Sequence, residues 1–458
     1  MKVLFKTAAK TLIISLVASV FLTACSKSEP TASTSAAPVA EATEKVTIAP
    51  STAAAETTAP TAKPLENVTI DFWHAFGEGE EKVLKEDVLP AFEKLNPTIK
   101  VNAIRMPTEN LDAQVLTAAA GGAVPDLMRM DNTWISRFAK EGALQTVEGF
   151  PGFDQVVANS FKAPMDTNLF NGKYYGVPLD TNTRVAIYNK ELLKLAGATE
   201  PPKTMDELVT LAKNLKAKGK YYGITIGGAN TWDISAFFWT LGGKYTDDKF
   251  ATATGFINSP ESIKALETIV SWNADKLLAP PILGGAPGTW EGLRGDKGVA
   301  ANYMMITDGP WFFSILGDAV KDTMIAATIP KGPDGQSHSI IGGQDLVIFK
   351  DAKHPNEAWT FSQYMLSEEV QTLMTLKTGA IPTNTNAAKS EKLKDVYYLQ
   401  AYVDEMATAF ARTPTPRWNE ISELIGTSFE SVLRKKSTAK EALDKAAKEI
   451  DAILATTN

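Results

Sequence analysis

The chain has 458 residues, 44% of them hydrophobic and 22% charged, with a formal net charge of −7. About 390 residues follow a low-complexity N-terminal stretch, more than one core usually serves, so two domains are expected. Lysines and acids are interspersed, which excludes the basic stripe of a nucleic-acid binder, and removing Lys2, Lys6 and Lys10 leaves about −10, which argues against a broad surface for anionic lipid.

Those three lysines precede a short apolar run from Leu12 to Leu22. The run is shorter than the roughly 20 residues a bilayer span needs and fits the core of a signal peptide. It ends in Leu22-Thr23-Ala24-Cys25, and Cys25 is the only cysteine in the sequence. That tetrapeptide resembles the lipobox of bacterial lipoproteins. The resemblance implies that residues 1–24 are removed and that Cys25 is diacylated, so the protein is expected outside the cytoplasm, held to the membrane by lipid. With one cysteine no intrachain disulfide can form, and stability must come from packed cores. Residues 25–66 carry the lipid and then a stretch rich in Ala, Thr, Ser, Pro and Glu. Such a composition cannot offset its ordering entropy and reads as a flexible tether.

The folded part opens with Val68, Ile70 and Phe72 alternating with polar partners, a strand ending at Trp73-His74. Val83, Leu84, Val88, Leu89, Phe92 and Leu95 recur at helical spacing, with a kink expected at Pro90. Ile99 to Ala103 is a second strand, Leu111 to Ala119 a helix stopped by Gly121-Gly122, and Asp126 to Met130 a third strand ending at Asp131. Strand alternating with helix predicts a parallel sheet covered by helices. Val185 to Tyr188 and Ile224 to Ile226 read as strands, as do Met324 to Ile329 and Leu346 to Phe349. Thr204 with Glu207 and Thr438 with Glu441 form capping boxes, and Ser259-Pro260 starts another helix. Ligands of open α/β sheets bind outside the carboxyl ends of the strands, so Trp73, His74 and Asp131 are expected to gather there.

Several stretches together are similar to the extracellular solute-binding proteins of the carbohydrate class, the group that includes maltose-binding protein. They are Pro125-Asp126-Leu127, Asn171-Gly172-Lys173-Tyr174-Tyr175-Gly176-Val177-Pro178 leading to Ile187-Tyr188-Asn189-Lys190, Asp308-Gly309-Pro310-Trp311, Gly342-Gly343, and Glu357-Ala358-Trp359. Their order, from about residue 67 to the C-terminus, carries the resemblance. It implies an α/β, two-lobe periplasmic-binding-protein-like fold with a hinge of several chain crossings, near Pro178, near Ile329 to Pro333 and near Gly379 to Pro382. One lobe would be 67–177 plus 334–378, the other 178–333 plus 379–458. It further implies a mono- or oligosaccharide held between the lobes for delivery to the permease subunits of an ABC importer. A monomer without cofactor or metal is expected, with no nucleic-acid partner.

A sugar offers hydroxyls to polar side chains and C–H faces to flat aromatic rings. Trp311, Trp418 and Trp232 align with the family's aromatic ligand contacts, and Trp73 and His74 end the first strand. Asp131, Asp180 and Asn182 lie at a strand end and at the first crossing, with Asn230 and Asp308 next. Gly343 would let backbone approach the ligand. Maltose-binding protein has a glutamate where Asn182 falls and an alanine where Asp180 falls, so maltose does not follow from the resemblance. Trp134, Trp272 and Trp359 sit on helical patterns and are expected in cores.

Catalytic motifs are missing: the three histidines form no HExxH pair, and no Gly-x-Ser-x-Gly elbow, Walker loop or EF-hand loop occurs. A same-fold receptor for a non-sugar solute and a surface glycan-degrading enzyme are the alternative readings.

Overall fold

A computed structural model describes residues 67–457. The signal peptide, Cys25 and the tether lie outside the described residues. No helix among the described residues is long and apolar enough to cross a membrane.

Among the described residues, eleven strands fall into three sheets. They are β1 (Val68–His74), β2 (Ile99–Arg105), β3 (Leu127–Asp131), β4 (Leu169–Phe170), β5 (Lys173–Tyr174), β6 (Val177–Asn182), β7 (Val185–Asn189), β8 (Met305–Asp308), β9 (Met324–Ala327), β10 (Gly342–Ile348) and β11 (Ile381–Pro382). The first lobe is built on a six-stranded sheet in the order β11-β6-β10-β3-β1-β2. Strands β1, β2 and β3 run parallel, as the alternation of strand and helix predicts. The sheet is mixed rather than wholly parallel, because β10 returns from the other lobe and inserts antiparallel between β3 and β6.

Both faces of this sheet are buried, and the period of two assigns the side chains. Ile70 and Phe72 of β1 enter one core with Phe92, Trp359 and Phe361, while Trp73 packs on the other with Met128, Phe138 and Val347. The expected Pro90 kink takes the form of a π-turn, Leu84–Val88, that opens directly onto the helix Leu89–Leu95 with Pro90 near its start. The helical run is continuous there, and the wider π-turn just before Pro90 accommodates its missing N–H and its ring.

The second lobe has a three-stranded sheet, β8-β7-β9, all antiparallel. β7 is buried throughout, which explains its continuous apolar run. Ala186 and Tyr188 face the larger core, with Leu208, Phe237, Phe238 and Phe429, while Val185 and Ile187 face Phe312, Phe313 and Tyr402. Ile224 to Ile226 makes only an isolated bridge, Ile224 to Leu278, and no extended strand. Gly223 on its flank lies so close to the helix Met205–Lys216 that a Cβ there would sit 2.2 Å from that of Ala212. The Thr438 box forms in full, with Thr438 Oγ1 accepting from Glu441 N and Glu441 Oε2 accepting from Thr438 N. The Thr204 box forms by half, because Glu207 accepts from Lys203 N instead.

Three segments lie side by side where the lobes meet. Thr183 Oγ1 donates to Ile340 O at 3.0 Å. Ser339 Oγ donates to Arg184 O at 2.8 Å and accepts from Arg184 N at 3.2 Å. Phe410 N donates to Ser339 O at 2.7 Å, and Ile341 N to Phe410 O at 2.9 Å. Pro178 is inside β6, opposite Asp345, and Gly379 to Pro382 leads into β11 on the same sheet.

Candidate functional site

The register brings one end of each central strand to this junction. Asp131 ends β3 opposite Gln344, and Gly342 begins β10 opposite Asn182, the last residue of β6. Across the junction Asp308 ends β8 opposite Val185, the first residue of β7. The ends of the two sheets therefore face each other, as ligand sites of open α/β sheets require.

Trp232 and Trp311 form the aromatic wall. Their ring centroids are 6.3 Å apart at 28°, an offset stack. Trp232 stands in the first turn of the helix Thr231–Thr240, whose N-cap is Asn230. Asn230 Oδ1 accepts from Asp233 N and its Nδ2 donates to Asp233 Oδ2, so its amide is committed to the cap. Asp233 also pairs with Arg184 at 3.1 Å, and the Arg184 guanidinium lies 5.7 Å from the Trp232 ring centroid. Arg184, buried, binds Thr307 through both its oxygen atoms. It acts as a brace across the second lobe, holding the indole by charge and by cation–π attraction.

Trp311 starts the helix Trp311–Leu316 straight after Gly309-Pro310. A Cβ at Gly309 would lie 2.2 Å from its indole, so glycine is required for the ring to fold back. Asp308 is buried; its carboxylate accepts from Gly309 N at 2.8 Å and from Trp290 Nε1. Burial pushes its carboxyl above the ordinary range, against the pull of Arg184. It stands three residues before Trp311 and fixes the Trp290 indole.

On the first-lobe side, Asp131 Oδ1 accepts from Thr133 N and Oγ1, and Oδ2 accepts from Gln344 Nε2 at 3.3 Å. Asn182 Oδ1 is buried without a partner. Gly342 and Gly343 make close approach possible. A Cβ at Gly342 would lie 2.3 Å from Asn182 Oδ1 and 2.8 Å from the Trp232 ring, and one at Gly343, where φ is +142°, would lie 2.4 Å from Asp180 O.

The remaining sequence-predicted residues are elsewhere. Asp180 Oδ2 accepts from Arg129 Nε at 2.9 Å, and Arg129 Nη2 is 2.9 Å from the same oxygen. Burial raises the Asp180 carboxyl and Arg129 pulls it back. Asp180 thus anchors a buried ion pair on the sheet. His74 is fully buried between Phe72 and Phe76, its Nδ1 accepting from Phe76 N, and burial lowers its pKa to about 4. Trp418 is 4% exposed, packed with Ile421, Ile425 and Phe429 in the larger core. Trp73 is partly buried against the Met128 core. Trp134 stacks on Phe138, while Trp272 and Trp359 are buried in cores.

Sequence reasoning passed over Arg412. It lies in the third segment, 5.5 Å from the Trp232 ring centroid, and its Nη2 donates to Asn132 Oδ1 in the first lobe. The surrounding run, Phe410-Ala411-Arg412-Thr413-Pro414-Thr415-Pro416, offered one signal: a single charge in a loop of proline and threonine. A cavity of about 660 Å³ opens on another side of that run, lined by Lys162, Phe170, Trp239, Tyr245, Phe410 and Thr413 among others. None of the sequence-predicted site residues lines it.

A family model described as bacterial extracellular solute-binding protein matches residues 77–372. A putative binding protein of Brucella abortus is 25% identical over 370 residues, covering 81% of this chain and 89% of that one. The maltodextrin-binding protein of Bacillus subtilis is 28% identical over 387 residues, covering 78% of this chain and 84% of that one. The solved structure of the sugar-binding protein MalE from Xanthomonas citri matches with a TM-score of 0.75 at 26% identity, over 85% of this chain and 98% of that one. With most of the folded chain matched and the sheet ends facing across a three-segment junction, the chain belongs to the bacterial extracellular solute-binding proteins.

Proposed function

We propose that this protein captures a mono- or oligosaccharide between its lobes and presents it to the permease of an ABC importer, tethered through a diacylated Cys25. The observation that carries the reading is the Trp232–Trp311 stack set between facing sheet ends. Rings in that position supply flat apolar area for sugar C–H faces at little side-chain entropy. Relatives named as binders of maltodextrin, maltotriose and diacetylchitobiose support it.

Contacts are assigned to Trp232, Trp311, Asn182 and Asp131, with the backbone of Gly343 close by. Asp308, Asn230 and Asp180 hold the frame. The chain binds its solute without transforming it. The lobes follow the division 67–177 plus 334–378 and 178–333 plus 379–458, except that β6 and β11 go with the first lobe by their pairing, and the bend is placed at the shared segments 183–184, 339–341 and 410.

The test is a thermal-shift screen of the chain lacking residues 1–64 against mono- and oligosaccharides. Ligand at 100 times its Kd should raise stability by about 2.7 kcal/mol. Trp311→Ala should abolish the shift while leaving the unliganded melting temperature within a few degrees. A shift with amines or peptides and with no saccharide would keep the fold and remove the sugar. Release of products from any glycan would remove the claim that the solute leaves unchanged.

A further inference from the structure

Two buried polar atoms near Trp232 have no hydrogen-bond partner: Asn182 Oδ1 at the end of β6 and Arg412 Nε in the third crossing segment. They come from segments far apart in sequence, yet both adjoin the Trp232 ring. The Arg412 guanidinium lies 5.5 Å from its centroid. Asn182 Oδ1 and the edge of the same indole both crowd the space a Cβ on Gly342 would take. One atom is an acceptor and the other a donor. Leaving such atoms unmade is costlier than the average hydrogen bond is favourable, so a pair of them beside one indole is unusual in a folded protein.

The rest of Arg412 is well held. Nη2 donates to Asn132 Oδ1, which fixes the fork and links the third segment to the first lobe. The guanidinium faces the carboxylates of Asp131 and Asp345. Asp345 is buried, its Oδ2 accepting from Thr167 Oγ1 at 3.3 Å, and that burial raises its carboxyl well above the ordinary range. A cation that already faces two acidic side chains favours a neutral ligand over an anionic one.

We infer that Arg412 is a specificity-determining residue of the cleft: its Nε–H, together with Asn182 Oδ1, takes one hydroxyl of a neutral sugar laid against Trp232. A hydroxyl both accepts and donates, so a single group satisfies both atoms. An ether, an amine cation or a carboxylate satisfies one and leaves the other. This rests on the sugar reading proposed above.

The experiment is isothermal titration of wild type, Arg412→Met and Arg412→Lys with glucose, maltose, maltotriose, cellobiose and glucuronate, with melting temperatures as the fold control. Loss of one hydrogen bond to a charged group should weaken the bound neutral sugar about 10- to 150-fold in Arg412→Met. Arg412→Lys, which keeps the charge and loses the fork, should fall between, and it carries the test if the methionine variant unfolds. Among monodeoxy analogues of the bound sugar, one should bind wild type and variant alike, an equality that a purely structural arginine would not produce. Equal affinity of wild type and Arg412→Met for the neutral sugar would overturn the assignment and leave sugar capture standing. A preference for glucuronate would overturn the neutral class. Absence of binding by every saccharide in the set would remove both readings together.

Discussion

Glu405 is fully buried on the helix Leu399–Met406, and its Oε2 accepts from Ile329 N at 2.7 Å and from Ser337 Oγ at 3.2 Å. Burial lifts its carboxyl from 4.5 to about 8 against those two bonds, with Asp404 adding a smaller push. Between those values the folded state keeps a proton that the unfolded chain gives up. Stability therefore falls as pH rises through the window, by at most about 1.4 kcal/mol per pH unit. Glu405→Gln keeps an acceptor for Ile329 N and removes the slope. Its melting temperature should match wild type near about pH 5 and exceed it near about pH 9, and an unchanged difference across that range would contradict the assignment. Asp180 gives a second test. Asp180→Ala leaves the Arg129 guanidinium, largely buried, with only Glu80 at 4.0 Å, and denaturant unfolding should show a loss of about 1–3 kcal/mol. A loss below about 1 kcal/mol would mean that the pair is solvated after all.

At the scale of elements, the hinge strand β10 carries the most stringent backbone. Gly343 has φ +142° and sits 2.4 Å, by an added Cβ, from Asp180 O on β6. Gly343→Ala should lower stability by about 1–3 kcal/mol even with no ligand present, read by chemical denaturation. Local elements were legible because their signals are local: the Thr438 capping box and the Ser259-Pro260 start are written within four residues. Two misplaced site residues were legible as well, by periodicity. His74 shares the parity of Ile70 and Phe72, the face that enters the core, and Trp418 opens a helical series with Ile421, Ile425 and Phe429. Strand order was not legible. Nothing near Gly342 to Ile348 says that β10 will insert between β3 and β6, more than 150 residues upstream. For the same reason Arg412 could not be placed beside Trp232, since their meeting depends on three crossings at once.

For the whole molecule, capture between lobes predicts contraction. Small-angle scattering with saturating sugar should give a smaller radius of gyration than without, and Trp232 and Trp311 should change their fluorescence in step. A ligand shifts the closure equilibrium only by its differential affinity for the two forms, so a tightly bound sugar that leaves the radius unchanged would count against closure. The junction also sets what kind of motion is open to the lobes. Ser339 both donates to and accepts from Arg184, while its own carbonyl takes Phe410 N, so the three crossing segments are stitched into one narrow ribbon. A ribbon bends about one axis far more readily than it shears or twists. Empty molecules therefore explore a line of configurations rather than a volume, and each swing brings the same two walls into register. The freedom surrendered when a sugar arrives is mostly along that single coordinate, which lets a shallow, partly exposed aromatic wall hold its cargo without a deep pocket.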